Sequence, residues 1–198
     1  MRTETINIYK FDELNKKAQE KAIENNRYIN VDSWEWYHDL LCDFIENTKN
    51  NYGIEIEEKN IAFSGFSSQG DGASFTSNDI DIKKLLKALN ITFKSEVLKK
   101  LFCDNVSIGI RRINTRYSHK YTVSCYCDYT ELTYTRIDNY LYNKSQELEE
   151  KLTALKNKLC NTLYDELENE YEFLTSNSII EDCLISNEYE FYSDGSIA

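Results

Sequence analysis

Four stretches of the chain carry residue types that could do chemistry. The first is GFSSQGDGASF at 65–75, where three of the six glycines surround one aspartate, Asp71. A glycine-rich loop cradles phosphate when successive backbone N–H groups stand at a helix N-terminus, often with a lysine beside them. Here no Lys or Arg lies between Lys59 and Lys83, the residues after the glycines alternate like a strand, and Asp71 repels phosphate. The alternating acidic ligands of a calcium loop are missing as well. The stretch reads as a strand-connecting turn that presents Gln69 and Asp71 to a partner.

The second stretch holds Cys125 and Cys127 on one strand face, with His119 six residues ahead of Cys125. Zinc takes tetrahedral ligands, usually from C-x2–4-C spacing at a knuckle, so C-x-C on a strand reads as buried free thiols. No metal and no other cofactor is expected. His38, alone on an amphipathic helix, reads as structural. With only two histidines to act as bases, nucleophilic catalysis has little to work with, and the chain is not expected to be an enzyme.

The third stretch, IRRINTRYSHKY, interleaves Arg111, Arg112, Arg116 and Lys120 with Tyr117 and Tyr121. Such a mixture grips a nucleic-acid strand by charge and stacking. A solvated hairpin tip explains the same residues and is the preferred reading. The fourth, YDELENEYEF, sets Asp165, Glu166, Glu168, Glu170 and Glu172 within eight residues, with Glu181 and Asp182 following. Carboxylates at regular spacing on a rigid element can imitate a phosphate backbone and fill a basic channel.

Charge segregation sharpens that fourth feature. The net charge is −11, but residues 83–121 carry ten bases against two acids, while residues 138–198 carry fourteen acids against four bases. Solubility alone does not require so acidic an end. No run of about 18 apolar residues and no basic-then-apolar start occurs, so neither a membrane span nor a secretory leader is expected. Six cysteines in a chain long enough to fold without staples fit reduced thiols in a cytoplasm.

These residues need elements to hold them. Ile6, Ile8 and Phe11 alternate as a strand, and a helix follows from an Asp12 cap to about Tyr28. A second helix is predicted from Asp32, with Glu35 closing a capping box and Val31 stapled on Trp36, to a stop at Gly53. Residues 54–77 read as strands of a meander. Helices near 79–90 and 94–103 take Asn78 and Thr92 as caps. Val106–Ile110 and Tyr121–Cys127 alternate as two strands joined by NTRYSHK. From Ile137 to Leu174, Leu141, Leu148, Leu152, Leu155, Leu159 and Leu163 form a heptad-type seam, either one helix near 35 residues or two broken at Asn161. So long a seam is expected to project or to pair with a second copy. An IIEDCL turn and a short EYEFY strand finish the chain.

Three segments also carry a resemblance. YKFDELNKKAQEKAI at 9–23, the Trp34/Trp36 pair in VDSWEW, and FSGFSSQGDGASF at 63–75 resemble a group of small bacteriophage and mobile-element proteins sometimes labelled antitoxin-like. The resemblance covers about residues 6–76 and implies a setting, mobile DNA inside a bacterium, in which small acidic proteins inhibit host defence. It brings over no residue roles.

The expected fold is α+β, an antiparallel or mixed sheet flanked by helices, with a long C-terminal helix. The expected organisation is an α+β domain over 1–135 and the acidic helix with its C-terminal element over 136–198. The leading functional expectation is an anti-CRISPR-type inhibitor that binds a host defence nuclease, or its nucleoprotein complex, through the acidic surface. The alternative is an antitoxin or regulator that pairs through the leucine seam and binds DNA with the basic hairpin.

Overall fold

A computed structural model describes residues 7–33, 35–133 and 135–198. The chain is α+β, and it divides into two compact units, one made of the residues up to Asp39 with Leu167–Ala198, the other of Leu40–Glu166.

In the first unit, strand β1 (Tyr9–Lys10) pairs antiparallel with β8 (Glu190–Phe191), so the two ends of the chain meet. Ile6, expected in the opening strand, lies outside the described residues. Asp12 does not cap the first helix. It sits in a tight turn over Phe11–Glu13, and α1 (Lys16–Asn25) is capped by Asn15, whose side chain accepts from the Ala18 N–H at 3.1 Å. The IIEDCL segment is a full helix, α6 (Asn177–Ser186), rather than a turn. Phe11, Leu14, Ala18, Ala22, Ile23, Ile180, Leu184 and Phe191 make one buried cluster, with Phe11 edge-on to Phe191. The apolar spacing of α1 thus serves a core completed by residues some 160 positions away.

Helix α2 runs Glu35–Tyr52 and stops one residue before Gly53, as the sequence predicts. It opens at Glu35, so Glu35 is a first-turn residue and not the third position of an Asp32 box; position 34 lies outside the described residues. Trp36 packs edge-on to Tyr37 and against Tyr171.

Among the described residues the second unit holds three two-stranded antiparallel ladders. Strands β3 (Ile61–Ser64) and β4 (Gly72–Phe75) form the hairpin that carries the glycine loop. The flanking pieces leave the expected meander: β2 (Ile54–Glu55) pairs with β5 (Asp79–Ile80) around that hairpin. Helices α3 (Ile82–Ala88) and α4 (Glu96–Asn105) are capped by Asp81 and Ser95, not by Asn78 and Thr92. Each true cap stands three residues before the N–H it accepts from, and each lies three residues beyond the predicted one.

Strands β6 (Val106–Arg112) and β7 (Val123–Tyr129) pair over their full length. Their register sets Ile108 opposite Cys127 and Ile110 opposite Cys125, and all four are buried. This is the alternation read from the sequence. Helix α5 runs unbroken from Thr135 to Leu174 through Asn161. Its seam is spent inside the chain: Leu141, Leu148, Leu152 and Leu163 are fully buried, Leu155 is buried and Leu159 half-buried. The stripe offers little apolar surface to a second copy, which removes the basis for pairing through these leucines.

Candidate functional site

The glycine loop and the basic hairpin, read as separate features, line one cavity in the second unit. Its volume is about 720 Å³. One wall is the loop, Gln69–Ala73; a second is the hairpin tip, with Tyr117, His119, Lys120 and Tyr121; the third is α5, with Cys160, Asn161 and Tyr164.

Asp71 organises the loop from within. One carboxylate oxygen, Oδ2, accepts from three successive backbone N–H groups, those of Ser68 at 2.6 Å, Ser67 at 2.9 Å and Phe66 at 3.1 Å. Those bonds, Ser68 first, hold the Asp71 carboxyl below its ordinary range, so it stays ionised at any physiological pH. The aspartate expected to reach a partner is therefore spent on its own turn, while Gln69 is exposed at the cavity wall. Gly65 turns the chain at φ 71°, and a side chain there would run into the Asp71 carboxylate. At the other end of the loop, a Cβ on Gly72 would stand 2.6 Å from His119 Cβ and 2.9 Å from His119 Cα. Only a residue without Cβ lets loop and hairpin approach this closely.

The hairpin tip is held by a network of its own. Thr122 donates from its hydroxyl to the His119 carbonyl at 2.7 Å, and Arg112 donates to the Ser74 hydroxyl on β4 at 3.4 Å. The main latch is Lys156, which sequence reading passed over. It is 3% exposed, and its ammonium donates to the carbonyls of Lys120 at 2.7 Å and Val123 at 3.2 Å and to Asn157 Oδ1 at 2.7 Å. The lysine pins both ends of the hairpin's last turn to α5. Burial holds its ammonium below the ordinary lysine value. The position was legible: Lys156 follows Leu152 by four residues and precedes Leu163 by seven, which puts a cation inside the leucine stripe.

The cavity's chemistry is aromatic and polar. Tyr117, His119 and Tyr121 bring their rings together at the tip, where Tyr121 lies in a tight turn over Lys120–Thr122 rather than in the strand expected to start there. Tyr117 and His119 stack at 5.8 Å and 18°, and Tyr121 stands edge-on to His119 at 5.8 Å. Arg116 lies over the Tyr117 ring and Lys120 over the Tyr121 ring. Across the cavity, Tyr164 packs against Phe66. Of the other two basic residues in the hairpin, Arg111 lies over Tyr126 and Arg112 is the half-buried donor to Ser74.

The three buried thiols are poorly suited to attack. Burial raises Cys160, on the cavity wall, to about 11 and Cys127 to about 12, and raises Cys125 as well, so all three stay protonated at neutral pH. Among the described residues no three His, Cys, Asp or Glu side chains gather as a metal site.

The acidic residues fall into two groups on α5. Asp165, Glu168 and Glu172 follow i, i+3, i+7 spacing along one face, and Glu166 and Glu170, four apart, share another. Asp165, Glu166 and Glu172 are exposed, Glu168 and Glu170 half-buried, and Glu181 and Asp182 exposed on α6. Among the described residues none of these seven is in an ion pair, whereas Glu147 takes both Lys144 and Lys151. Two further features were missed. Asp43 of α2 joins the acids of the second unit, and partial desolvation followed by the charges of Asp43 and Asp165 raises the Glu166 carboxyl above its ordinary value near 4.5. In the first unit, Glu35, Glu170 and Asp182 line a cleft of about 670 Å³ together with Trp36, Leu174 and Ile179. The α2 acids Asp39, Asp43 and Glu46 were readable at i, i+4, i+7, all exposed.

The crowding at Glu166 has a measurable sign. A carboxyl raised on folding is neutral in both states at low pH, and it costs stability once the unfolded chain ionises, because the folded chain gives up its proton less readily. Glu166→Gln is expected to raise the Tm at pH 7 by on the order of 1–2 °C, a gain that closes below about pH 4. Thermal scans of both proteins from pH 3.5 to 7.5 check it.

Among the described residues no helix is long and apolar enough to cross a membrane. No curated protein and no solved structure matches the chain. A family model described as a domain of unknown function, DUF8835, matches residues 36–177, a span that holds the glycine loop, the hairpin tip, Lys156 and Tyr164, and the chain belongs to that family.

Proposed function

We propose that the protein is a phage-derived inhibitor of the anti-CRISPR type, which binds a host nucleic-acid-handling defence enzyme in the bacterial cytoplasm and occupies its basic groove with an acidic surface. The observation that carries this reading is the state of the acids. Asp165, Glu166, Glu168, Glu170, Glu172, Glu181 and Asp182 stand on helices without an ion-pair partner among the described residues, and at Glu166 partial desolvation, followed by the charges of Asp43 and Asp165, already disfavours the ionised form. A groove lined with Lys and Arg relieves that repulsion and supplies the missing counter-charges, the same exchange that gives such grooves their hold on phosphate. The cleft beside Trp36, with carboxylates from Glu35, Glu170 and Asp182 around apolar side chains, suits the head and stem of a partner's Arg or Lys.

Displacement of labelled DNA from guide-loaded defence nucleases tests the reading. The chain is expected to displace DNA from at least one member of a panel. The variant with lysine at Asp165, Glu166, Glu168, Glu170 and Glu172 is expected to lose that activity at least a hundredfold while keeping the wild-type circular dichroism. Because Glu168 and Glu170 are half-buried, a second variant, Glu181→Lys with Asp182→Lys, places the reversal on exposed α6 positions alone. Undiminished displacement by both folded variants sinks the proposal.

A further inference from the structure

We infer that the cavity between the glycine loop, the hairpin tip and α5 is a binding site for a single nucleotide, with the base held between aromatic rings and the phosphate at the Lys120 end. The inference is argued from the cavity lining, which contains none of the seven acids on α5 and α6, although Tyr164 on its α5 wall directly precedes Asp165.

The volume, about 720 Å³, is in the range of small-ligand sites, and its composition is that of a stacking site with a polar edge. Tyr117 and Tyr121 are 38% and 69% exposed although they are large aromatic side chains, and the His119 ring lies between them. On the opposite wall the Tyr164 ring is fixed by Phe66, itself stacked on Phe63 at 6.5 Å. A flat, π-faced ligand fits between such walls, and every nucleobase has that face.

Hydrogen-bond capacity narrows the ligand. The amides of Gln69 and Asn161 each offer a donor and an acceptor, the pairing that reads a base edge. His119 Nδ1 accepts from the Tyr121 N–H at 3.2 Å, so in the neutral ring Nε2 carries the hydrogen and is a donor. The charges place the phosphate. Asp71 remains ionised on the loop wall, which keeps an anion away from that side. Lys120 lies on the hairpin wall, and Arg116, which does not line the cavity itself, stands 5.2 Å from the centre of the lining Tyr117 ring. The cavity is also built before any ligand arrives: Asp71 fixes the loop, Gly72 seats it on His119, and Lys156 fixes the tip through backbone carbonyls. Pre-formed walls spare the ordering cost that a loose hairpin would pay on binding.

One chemistry, base plus phosphate, has two sources: a free mononucleotide, or an unpaired nucleotide of a strand. Calorimetric titration of the full chain with AMP, with adenosine, with a single-stranded (dA)12 and with the matching duplex separates them. Saturable binding of AMP that exceeds (dA)12 assigns the free nucleotide; tighter binding of (dA)12, with the duplex weaker, assigns the strand. Either supports the site. Tyr121→Ala and Lys120→Ala alter exposed or cavity-facing side chains and leave the Lys120 carbonyl that Lys156 holds, so both variants keep the fold. Each is expected to weaken binding about tenfold, and the Lys120 variant is expected to lose most of the parent's preference for AMP over adenosine. The Glu181→Lys, Asp182→Lys variant, whose positions do not line the cavity, is expected to bind AMP as the parent does, which keeps this outcome apart from that of the acidic surface. No saturable binding of AMP or (dA)12 up to 5 mM ligand, equal affinity of the parent for AMP and adenosine, or affinities that ignore both substitutions would each overturn it.

Discussion

Lys156→Met is expected to cost the folded chain about 2–3 kcal/mol, a fall in Tm of about 5–10 °C, and to free the hairpin tip. The substitution keeps the length and apolar stem of the side chain, so the loss comes from the three acceptors that the ammonium holds, two of them backbone carbonyls at the tip. A buried acceptor left without a donor costs more than an average hydrogen bond contributes, and here two carbonyls lose their donor together. Part of the cost is offset, because the variant no longer has to desolvate a cation. That offset gives the experiment its signature in pH. Burial depresses the folded-state value of Lys156 below the 10.5 of an ordinary lysine. The unfolded chain therefore keeps its proton to higher pH, and stability rises with pH between the depressed value and about 10.5, while the full desolvation penalty applies below the lower value. The parent is expected to gain on the variant as pH rises from 7 to 10, measured as the difference between their urea midpoints. A gap that stays flat or narrows with pH contradicts a buried ammonium, and a variant as stable as the parent contradicts the latch. Loss of the latch also predicts faster amide exchange at Lys120–Val123 than over Ser124–Tyr129 of β7.

How far the molecule was legible follows from what each feature depends on. The β6–β7 pair and α5 were readable because both rest on local periodicity sustained over many residues, seven in each strand and forty in the helix. The caps were missed because Asn78, Thr92 and Asp12 are as competent chemically as Asp81, Ser95 and Asn15, and only the surrounding packing chooses among them. The two-residue ladders β1–β8 and β2–β5 were unreadable as pairs, since so short a strand has no period and its partner is set by the fold. The cavity lies between these cases. Its glycines, its alternating Tyr117, His119 and Tyr121 and its basic residues were all singled out in the sequence, but nothing local states that Gly72 rests on His119. That contact joins segments 47 residues apart, and it turns a turn and a hairpin into walls of one site. The acidic feature was half legible: the α5 acids were visible as a run, whereas the charge of Asp43 acts on Glu166 from a distant segment of the sequence, which no local pattern states.

The leucine seam supplies the sharpest contrast between a pattern and its use, and Leu152→Ala decides which use is correct. A heptad stripe has the same spacing whether it faces a second helix of another copy or the core of its own chain. In the structure Leu148, Leu152 and Leu163 have no exposed surface within a single chain, so the stripe is core. Truncating Leu152 removes three buried carbons and leaves a void that close-packed neighbours fill only in part. The expected loss is about 3 kcal/mol, or roughly 6–12 °C in Tm. The same mutation in a pairing seam would also weaken association, and the stability of a folded dimer depends on protein concentration. Chemical denaturation of parent and variant over a hundredfold range of protein concentration separates the two. The expected result is a large drop with midpoints that do not move with concentration in either protein. A midpoint that climbs with concentration in the parent and loses that dependence in the variant would return the seam to an interface. A drop below about 1 kcal/mol would mean that the stripe holds neither a core nor a partner. With the seam committed to the core, the outward side of α5 carries the exposed acids Asp165, Glu166 and Glu172 together with the exposed rings of Tyr142 and Phe173.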